Sequence, residues 1–265
     1  MRQVFGEVVS NQPLTGEYWL LEIDAPVVAK DLRAGQFINI RMGDGFSPYL
    51  RRPFSVYRLR NDRERLQIAY KIVGTGTEMM TTNFPAGSPA DILGPLGRGF
   101  TLPVAARRIA LVGRGIGNAA LPILAEEAGE KGIEVYSFLS ARNTPNLAGV
   151  DVFEELSHRL FIHTDDQNDV GKVTDHLEAL LPDTPFDAIY VCGSKRLTRE
   201  AHAMATRLGI PAQVALEQYM ACGFGDCHGC VVEVNLDRDA SAQAYHEVCT
   251  YGPVFDTWEV IGAHT

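Results

Sequence analysis

The stretch "ACGFGDCHGC", residues 221–230, holds three cysteines and three glycines in ten positions, in a chain with only five cysteines. Cys222, Cys227 and Cys230 follow the order Cys-x4-Cys-x2-Cys, and Cys249 comes after eighteen intervening residues. That is the plant-type [2Fe–2S] spacing. Four thiolates must surround two irons, and a tight loop can supply three of them. Gly223, Gly225 and Gly229 let such a loop curl and turn N–H groups toward the sulfurs. Between the third and fourth cysteines, "VVEVN" and "AYHEV" read as two strands, a hairpin that returns Cys249 to the loop. The alternatives are a structural zinc site, whose ligands usually come in two short pairs, or buried thiols or a disulfide. His228, inside the loop, and His163 are read as non-ligands.

A one-electron carrier needs a donor, so the rest of the chain is read for one. Its 265 residues suffice for about two domains, and 46% hydrophobic residues suit an ordinary globular protein. The charge, 24 basic against 33 acidic residues or −9, disfavours a nucleic-acid binder. No apolar run is long enough for a membrane span. The start, "MRQVFGEVVSNQPLTGEYW", lacks the apolar region of a secretory signal. Five cysteines without such a signal read as a reduced, cytoplasmic chain.

Residues 1–101 read as β. "RLQIAYKIVG" alternates Leu66, Ile68, Tyr70 and Ile72 against Gln67, Ala69 and Lys71, the period of a half-buried strand. "VFGEVVSN", "EYWLLEID", "QFINIRMG" and "PFSVYRLR" are further strands between turn residues, which together predict an antiparallel Greek-key barrel. A short helix, "TEMMTTNF", follows "GTG". Within the barrel, Arg52 of "LRRPFSVY" can neutralise a diphosphate and Ser55 can hydrogen-bond a flavin ring. Gly76 and Thr77 would stand at a helix N-terminus, which favours anions. A charged strand entrance is the competing reading of Arg51-Arg52.

Residues 102–216 alternate strand and helix: "RRIALVG", "NAALPILAEEAGEKG", "IEVYSFLS", "RLFIHTDD", "GKVTDHLEALLP", "FDAIYVCG", "KRLTREAHAMATRLG" and "IPAQVAL". Leu121, Leu124, Ala125 and Ala128 share one helical face. The pattern predicts a doubly wound parallel sheet with helices on both sides. "VGRGIGN" opens a helix after a strand, as a phosphate loop must, with Gly113, Gly115 and Gly117. Asn118 stands at the last glycine position of G-x-G-x-x-G, and the next strand ends without an acidic residue, so the fingerprint is not the standard one. A plain turn needing small residues is the alternative. Cys192 ends a strand at the ligand edge, as a buried structural thiol or beside a nicotinamide. His202 and the Asp165-Asp166 pair read as solvated. Residues 217–265 form the cluster segment.

Taken together, "RRPFSV", "VGTGT", "GPLGRGF", "LVGRGIGNAALP", "VCG", "EQYMACGFGDCHGC" and "VCTYGPVFD" resemble, in order and over nearly the whole chain, the electron-transfer subunits of class 1B dihydroorotate dehydrogenase. These are ferredoxin-reductase-like flavoproteins. The resemblance implies FAD held by Arg52, Pro53, Phe54 and Ser55, with Ala69, Tyr70 and Lys71 lining the flavin and Gly76 and Thr77 at its diphosphate. It implies NAD approaching across Gly113, Gly115 and Gly117 and across Cys192-Gly193, and [2Fe–2S] on Cys222, Cys227, Cys230 and Cys249. A separate FMN-containing dehydrogenase subunit would be the partner, in pyrimidine biosynthesis. Arg114, Asn118 and "CGSKRLTR" depart from the family pattern at the nicotinamide position. A reductase subunit of another redox complex, or a cluster-bearing module without nucleotide turnover, are the other readings.

Overall fold

A computed structural model describes residues 1–43, 45–167 and 172–260. The first part is a seven-stranded antiparallel sheet of β1 (Arg2–Thr15), β2 (Tyr18–Asp24), β3 (Phe37–Ile40), β4 (Arg52–Ser55), β5 (Arg58–Arg60), β6 (Arg65–Lys71) and β7 (Pro89–Leu96), in the order β4-β3-β7-β1-β2-β6-β5. The sheet curls into a barrel: Phe54 of β4 meets Tyr70 of β6 edge-on, with ring centroids 6.4 Å apart. Two helices, α1 (Pro26–Ala29) and α2 (Thr75–Asn83), lie between strands. β7 buries every second residue, the period-two pattern of a strand with one face on a core. β3 instead buries all four residues. Its Ile38 and Ile40 join the barrel core, while Phe37 belongs to a second core that also takes in Cys230 and Val248 of the cluster segment.

The expected single strand "PFSVYRLR" is two. Val56 and Tyr57 separate β4 from β5, and the Tyr57 N–H donates to the Gln67 carbonyl at 2.7 Å. In β6, Leu66, Ile68 and Tyr70 are buried as expected, but Ala69 is buried too and Ile72 lies past the strand end, exposed.

The second part carries β8 (Arg108–Arg114), α3 (Pro122–Glu130), β9 (Glu134–Ala141), α4 (Val150–Leu156), β10 (Arg159–Thr164), α5 (Val173–Leu180), β11 (Ala188–Cys192), α6 (Lys195–Leu208) and β12 (Ala212–Ala215). Gly171, in the expected helix "GKVTDHLEALLP", lies outside the described residues. The strands run parallel in the order β10-β9-β8-β11-β12. Alternate residues of β8 face opposite layers. Ile109 and Leu111 share a core with Leu124 and Phe153, and Ala110 and Val112 share one with Leu177 and Leu197. The helix expected from Asn118 begins instead at Pro122, after a 3-10 turn over Gly115–Ala120. Proline lacks the N–H that the first helical position leaves unpaired anyway.

The last part holds a hairpin of β13 (Val231–Asn235) and β14 (Gln243–Glu247), as the sequence predicts, then β15 (Val254–Asp256) and α7 (Thr257–Val260). β15 adds to the nucleotide sheet, antiparallel to β12. The Leu216 N–H donates to the Pro253 carbonyl at 2.9 Å, so the segment between them leaves and re-enters at neighbouring strands. β15, within the segment expected to carry the cluster, thus shares a sheet with the part before it. The barrel is tied to the nucleotide part by Arg58, which pairs with Glu126 at 2.6 Å and Glu155 at 3.2 Å. Among the described residues, no helix is long and apolar enough to cross a membrane.

Candidate functional site

The cysteine loop curls where its glycines allow it. Gly223 and Gly225 have φ of 82° and 93°, the left-handed region. The curl turns N–H groups onto sulfur: Cys227 N–H toward Cys222 Sγ at 3.5 Å and Gly229 N–H toward Cys227 Sγ at 3.4 Å. Burial works against a Cys222 thiolate, but the N–H groups of Phe224, Cys227 and Asp226 outweigh it and bring the thiol down to about 6. Burial, with Cys230 alongside, pushes Cys249 up to about 12. All five cysteines are free thiols. Cys230 and Cys249 are buried, and Cys227 is exposed at the loop tip. His228 turns away to Glu247, 2.5 Å from its Nδ1. Among the described residues, no three His, Cys, Asp or Glu side chains gather around one ion. A two-iron cluster does not require that, because its four thiolates are divided between two irons. Thiols bordered by N–H donors fit such a group.

A cavity of about 400 Å³ joins the barrel to the nucleotide sheet. Ten residues singled out in the sequence line it: Arg52, Pro53, Phe54, Ser55, Ala69, Tyr70, Lys71, Thr77, Gly117 and Cys192. The two arginines of "RRPF" part company. Arg51 is ion-paired with Asp91 at 2.6 Å, whereas Arg52, among the described residues, hydrogen-bonds only backbone carbonyls, Leu50 at 2.7 Å and Arg51 at 3.4 Å, and faces the start of α2. A Cβ on Gly76 would come within 3.0 Å of Arg52 Nε, so glycine keeps that approach open. Thr77 is occupied locally: its hydroxyl accepts from the Val73 and Gly74 N–H groups and donates to the Gly74 carbonyl. Burial pushes Tyr70 up to about 12, and its hydroxyl donates to Asn11. Lys71 pairs with Glu17 at 2.6 Å. An unopposed guanidinium, a helix start and an apolar slot with polar edges fit a flavin dinucleotide.

Strand order reverses between β8 and β11, the crevice where such sheets bind ligands. The two candidate nucleotide elements touch there. A Cβ on Gly117 would lie 2.6 Å from Gly193 Cα, and Gly193 has φ of 108°. Gly115 also has positive φ, 58°. Gly113 lies against the Asn118 side chain, which is fully buried with neither amide atom hydrogen-bonded. Cys192 is buried with its thiol pushed well up by desolvation.

Asp165 is an exposed turn residue, as expected, and Arg114 also binds both its oxygens, at 3.2 and 2.6 Å. Two expectations change. His202 is half-buried, its Nδ1 3.0 Å from the Thr257 hydroxyl. The cavity wall also includes Glu217, Tyr219 and Met220, which sequence reasoning missed although "EQYM" directly precedes the cysteine loop. Solvent reaches Glu217 through the cavity mouth, yet the surrounding walls desolvate its carboxyl and raise its pKa.

Comparison with known proteins agrees with this arrangement. Residues 217–261 match the iron–sulfur cluster binding domain of dihydroorotate dehydrogenase B. Relatives named as the electron transfer subunit of dihydroorotate dehydrogenase B (NAD(+)) include one from Desulforamulus reducens, 31% identical over 98% of this chain and 99% of that protein. Another, from Geobacillus thermodenitrificans, is 35% identical over 96% of each chain. Among solved structures, a chain of an NADH-dependent reduced ferredoxin-NADP oxidoreductase superposes with a TM-score of 0.81 at 27% identity, covering 97% of this chain and 89% of that one. Phthalate dioxygenase reductase shares the fold, with a TM-score of 0.63 at 19% identity over 92% and 76% of the two chains. With such identity along essentially its whole length, the chain belongs to the family of electron-transfer subunits of NAD(+)-dependent dihydroorotate dehydrogenase B.

Proposed function

We propose that the chain carries electrons between NAD and an FMN-containing dehydrogenase subunit that oxidises dihydroorotate, using FAD and a [2Fe–2S] cluster. One observation carries the reading. A single cavity runs from Arg52–Ser55 past Gly117 and Cys192 to Glu217–Met220, and the chain passes from there directly into the cysteine loop. FAD supplies the exchange between two-electron hydride chemistry and one-electron transfer. Arg52 pairs with the diphosphate beside Gly76, and Thr77 holds the helix start that faces it. Pro53, Phe54, Ala69, Tyr70 and Lys71 wall the flavin slot, and Ser55 hydrogen-bonds the ring edge. Gly113, Gly115 and Gly117, with Cys192-Gly193, leave room for the nicotinamide nucleotide. Cys222, Cys227, Cys230 and Cys249 hold the cluster. On this reading residues 1–101 serve FAD, 102–216 NAD and 217–265 the cluster.

The likeness to the NADH-dependent ferredoxin-NADP oxidoreductase favours a second reading, the same electron path serving a different redox partner. Stopped-flow mixing tests the first. NADH should bleach the flavin of the isolated chain and then the cluster, and dihydroorotate alone should do neither. Adding the FMN subunit should make NAD⁺ reduction depend on dihydroorotate. Failure of that coupling, with NADH bleaching intact, would move the second reading ahead. Absence of NADH bleaching would leave a cluster-bearing module without nucleotide turnover.

A further inference from the structure

Asn39 was not singled out by any motif, yet it stands between the two redox sites. It lies on β3, directly opposite Pro53 of the flavin-facing strand β4. Along β3 its side chain shares the face of Phe37, opposite to Ile38 and Ile40 of the barrel core, and is buried. There its Nδ2 donates to the Cys222 carbonyl at 2.9 Å, across 183 residues of sequence. The contact is close from both sides: a Cβ on Gly223 would overlap the Asn39 amide, so the loop lies flat against it only because residue 223 is glycine. Among the described residues the Asn39 Oδ1 has no hydrogen-bond partner. The buried amide thus leaves one of its own atoms unpaired while it pairs the Cys222 carbonyl, which an apolar residue at that place could not do.

Resting on the function proposed above, we propose that Asn39 is a positioning residue. It pins the Cys222 limb of the cluster loop to the flavin-binding strands and thereby sets how fast electrons pass between cluster and flavin. Hydrogen bonds around the ligands also tune a cluster's potential, so the same contact shapes its electronic signature. Each passage takes one electron from one centre and gives it to the other. Two passages, with one proton released or taken up at the flavin, match each hydride exchanged with NAD.

The test uses the full chain loaded with both groups, in wild-type form and as Asn39→Leu, Asn39→Ser and Gly223→Ala. Asn39→Leu keeps the branched outline, somewhat enlarged, and removes the donor, and Asn39→Ser keeps a shorter donor. Gly223→Ala pushes the loop away while leaving Asn39 intact. Iron and FAD content, the electron paramagnetic resonance spectrum of the reduced cluster, its midpoint potential and the flavin-to-cluster rate after NADH mixing are measured. Asn39→Leu and Gly223→Ala should shift the spectrum and potential and slow the passage about tenfold, the scale of one lost hydrogen bond. NADH-to-flavin reduction should stay at the wild-type rate, and Asn39→Ser should recover part of the loss. Loaded variants with wild-type spectra and rates overturn the proposal. Cluster loss in all three variants with FAD retained also overturns it, since the contact would then serve assembly alone. A wild-type chain that shows neither flavin nor cluster signal sinks the underlying functional reading instead.

Discussion

Adjacent arginines in one strand entrance have different work, and only the fold separates them. In the sequence the pair reads as a charged strand entrance or, at Arg52, as a phosphate partner. Arg51 is spent on Asp91, whereas Arg52 is left with backbone carbonyls as partners and faces Gly76. Arg52→Ala should weaken FAD binding by about ten- to a hundredfold, the loss of a charge-assisted contact of roughly 1.5–3 kcal/mol. Arg51→Ala should instead lower the melting temperature with FAD affinity nearly unchanged. Fluorescence titration and thermal melts on both variants check this, and equal FAD loss in the two would refute the division. The cysteines divide in the same way. Their spacing alone marked Cys222, Cys227, Cys230 and Cys249 as a set apart from Cys192, and Cys192 lies at the end of β11 instead of in the loop. Cys227→Ser should lose most of its iron while Cys192→Ser keeps it, read by iron and sulfide content. Pairings such as Arg114 with Asp165 were not legible, because they join residues 51 apart whose meeting depends on where two strands end.

Strands and helices were legible wherever one period dominated. The β8–β12 alternation with helices needed no tertiary knowledge, since each segment carries its own apolar pattern. The failures fall where tertiary contacts break the pattern. "PFSVYRLR" splits because Tyr57 bonds back to Gln67, and the helix after Gly113 is delayed because Gly115–Ala120 must fit beneath the β11 loop. That fit gives an element-scale prediction. Gly117→Ala would drive a methyl to within 2.6 Å of Gly193, forcing the two loops apart. Overpacking of this kind costs roughly 1–3 kcal/mol. If it falls on nucleotide binding, the KM for NADH should rise about five- to a hundredfold. FAD content and iron should stay at wild-type levels. An unchanged KM would mean that nucleotide does not use this crossing.

At the scale of the whole molecule, a buried arginine joins the barrel to the nucleotide sheet: Arg58 pairs with Glu126 at 2.6 Å. Removing one partner of a buried pair strands the other, so Arg58→Ala should cost about 3 kcal/mol. Burial already raises Glu126 above its ordinary 4.5 despite Arg58 beside it. A raised carboxyl contributes stability that is fully present below its unfolded pKa and fades as pH climbs through the folded one. Losing Arg58 lifts Glu126 further, so the gap in melting temperature between wild type and variant should be small below pH 4.5 and widen above it. A gap independent of pH would show that packing, not charge, holds this interface. The path of the last fifty or so residues has a further consequence, which protease makes visible. The turn at Leu236–Ala242 is exposed and includes Arg238. A single tryptic cut after Arg238 would leave a carboxyl-terminal fragment that still owns Cys249 and still lies as β15 alongside β12. The two fragments should therefore migrate as one brown species on gel filtration and come apart only in denaturant, behaving as a self-complementing pair.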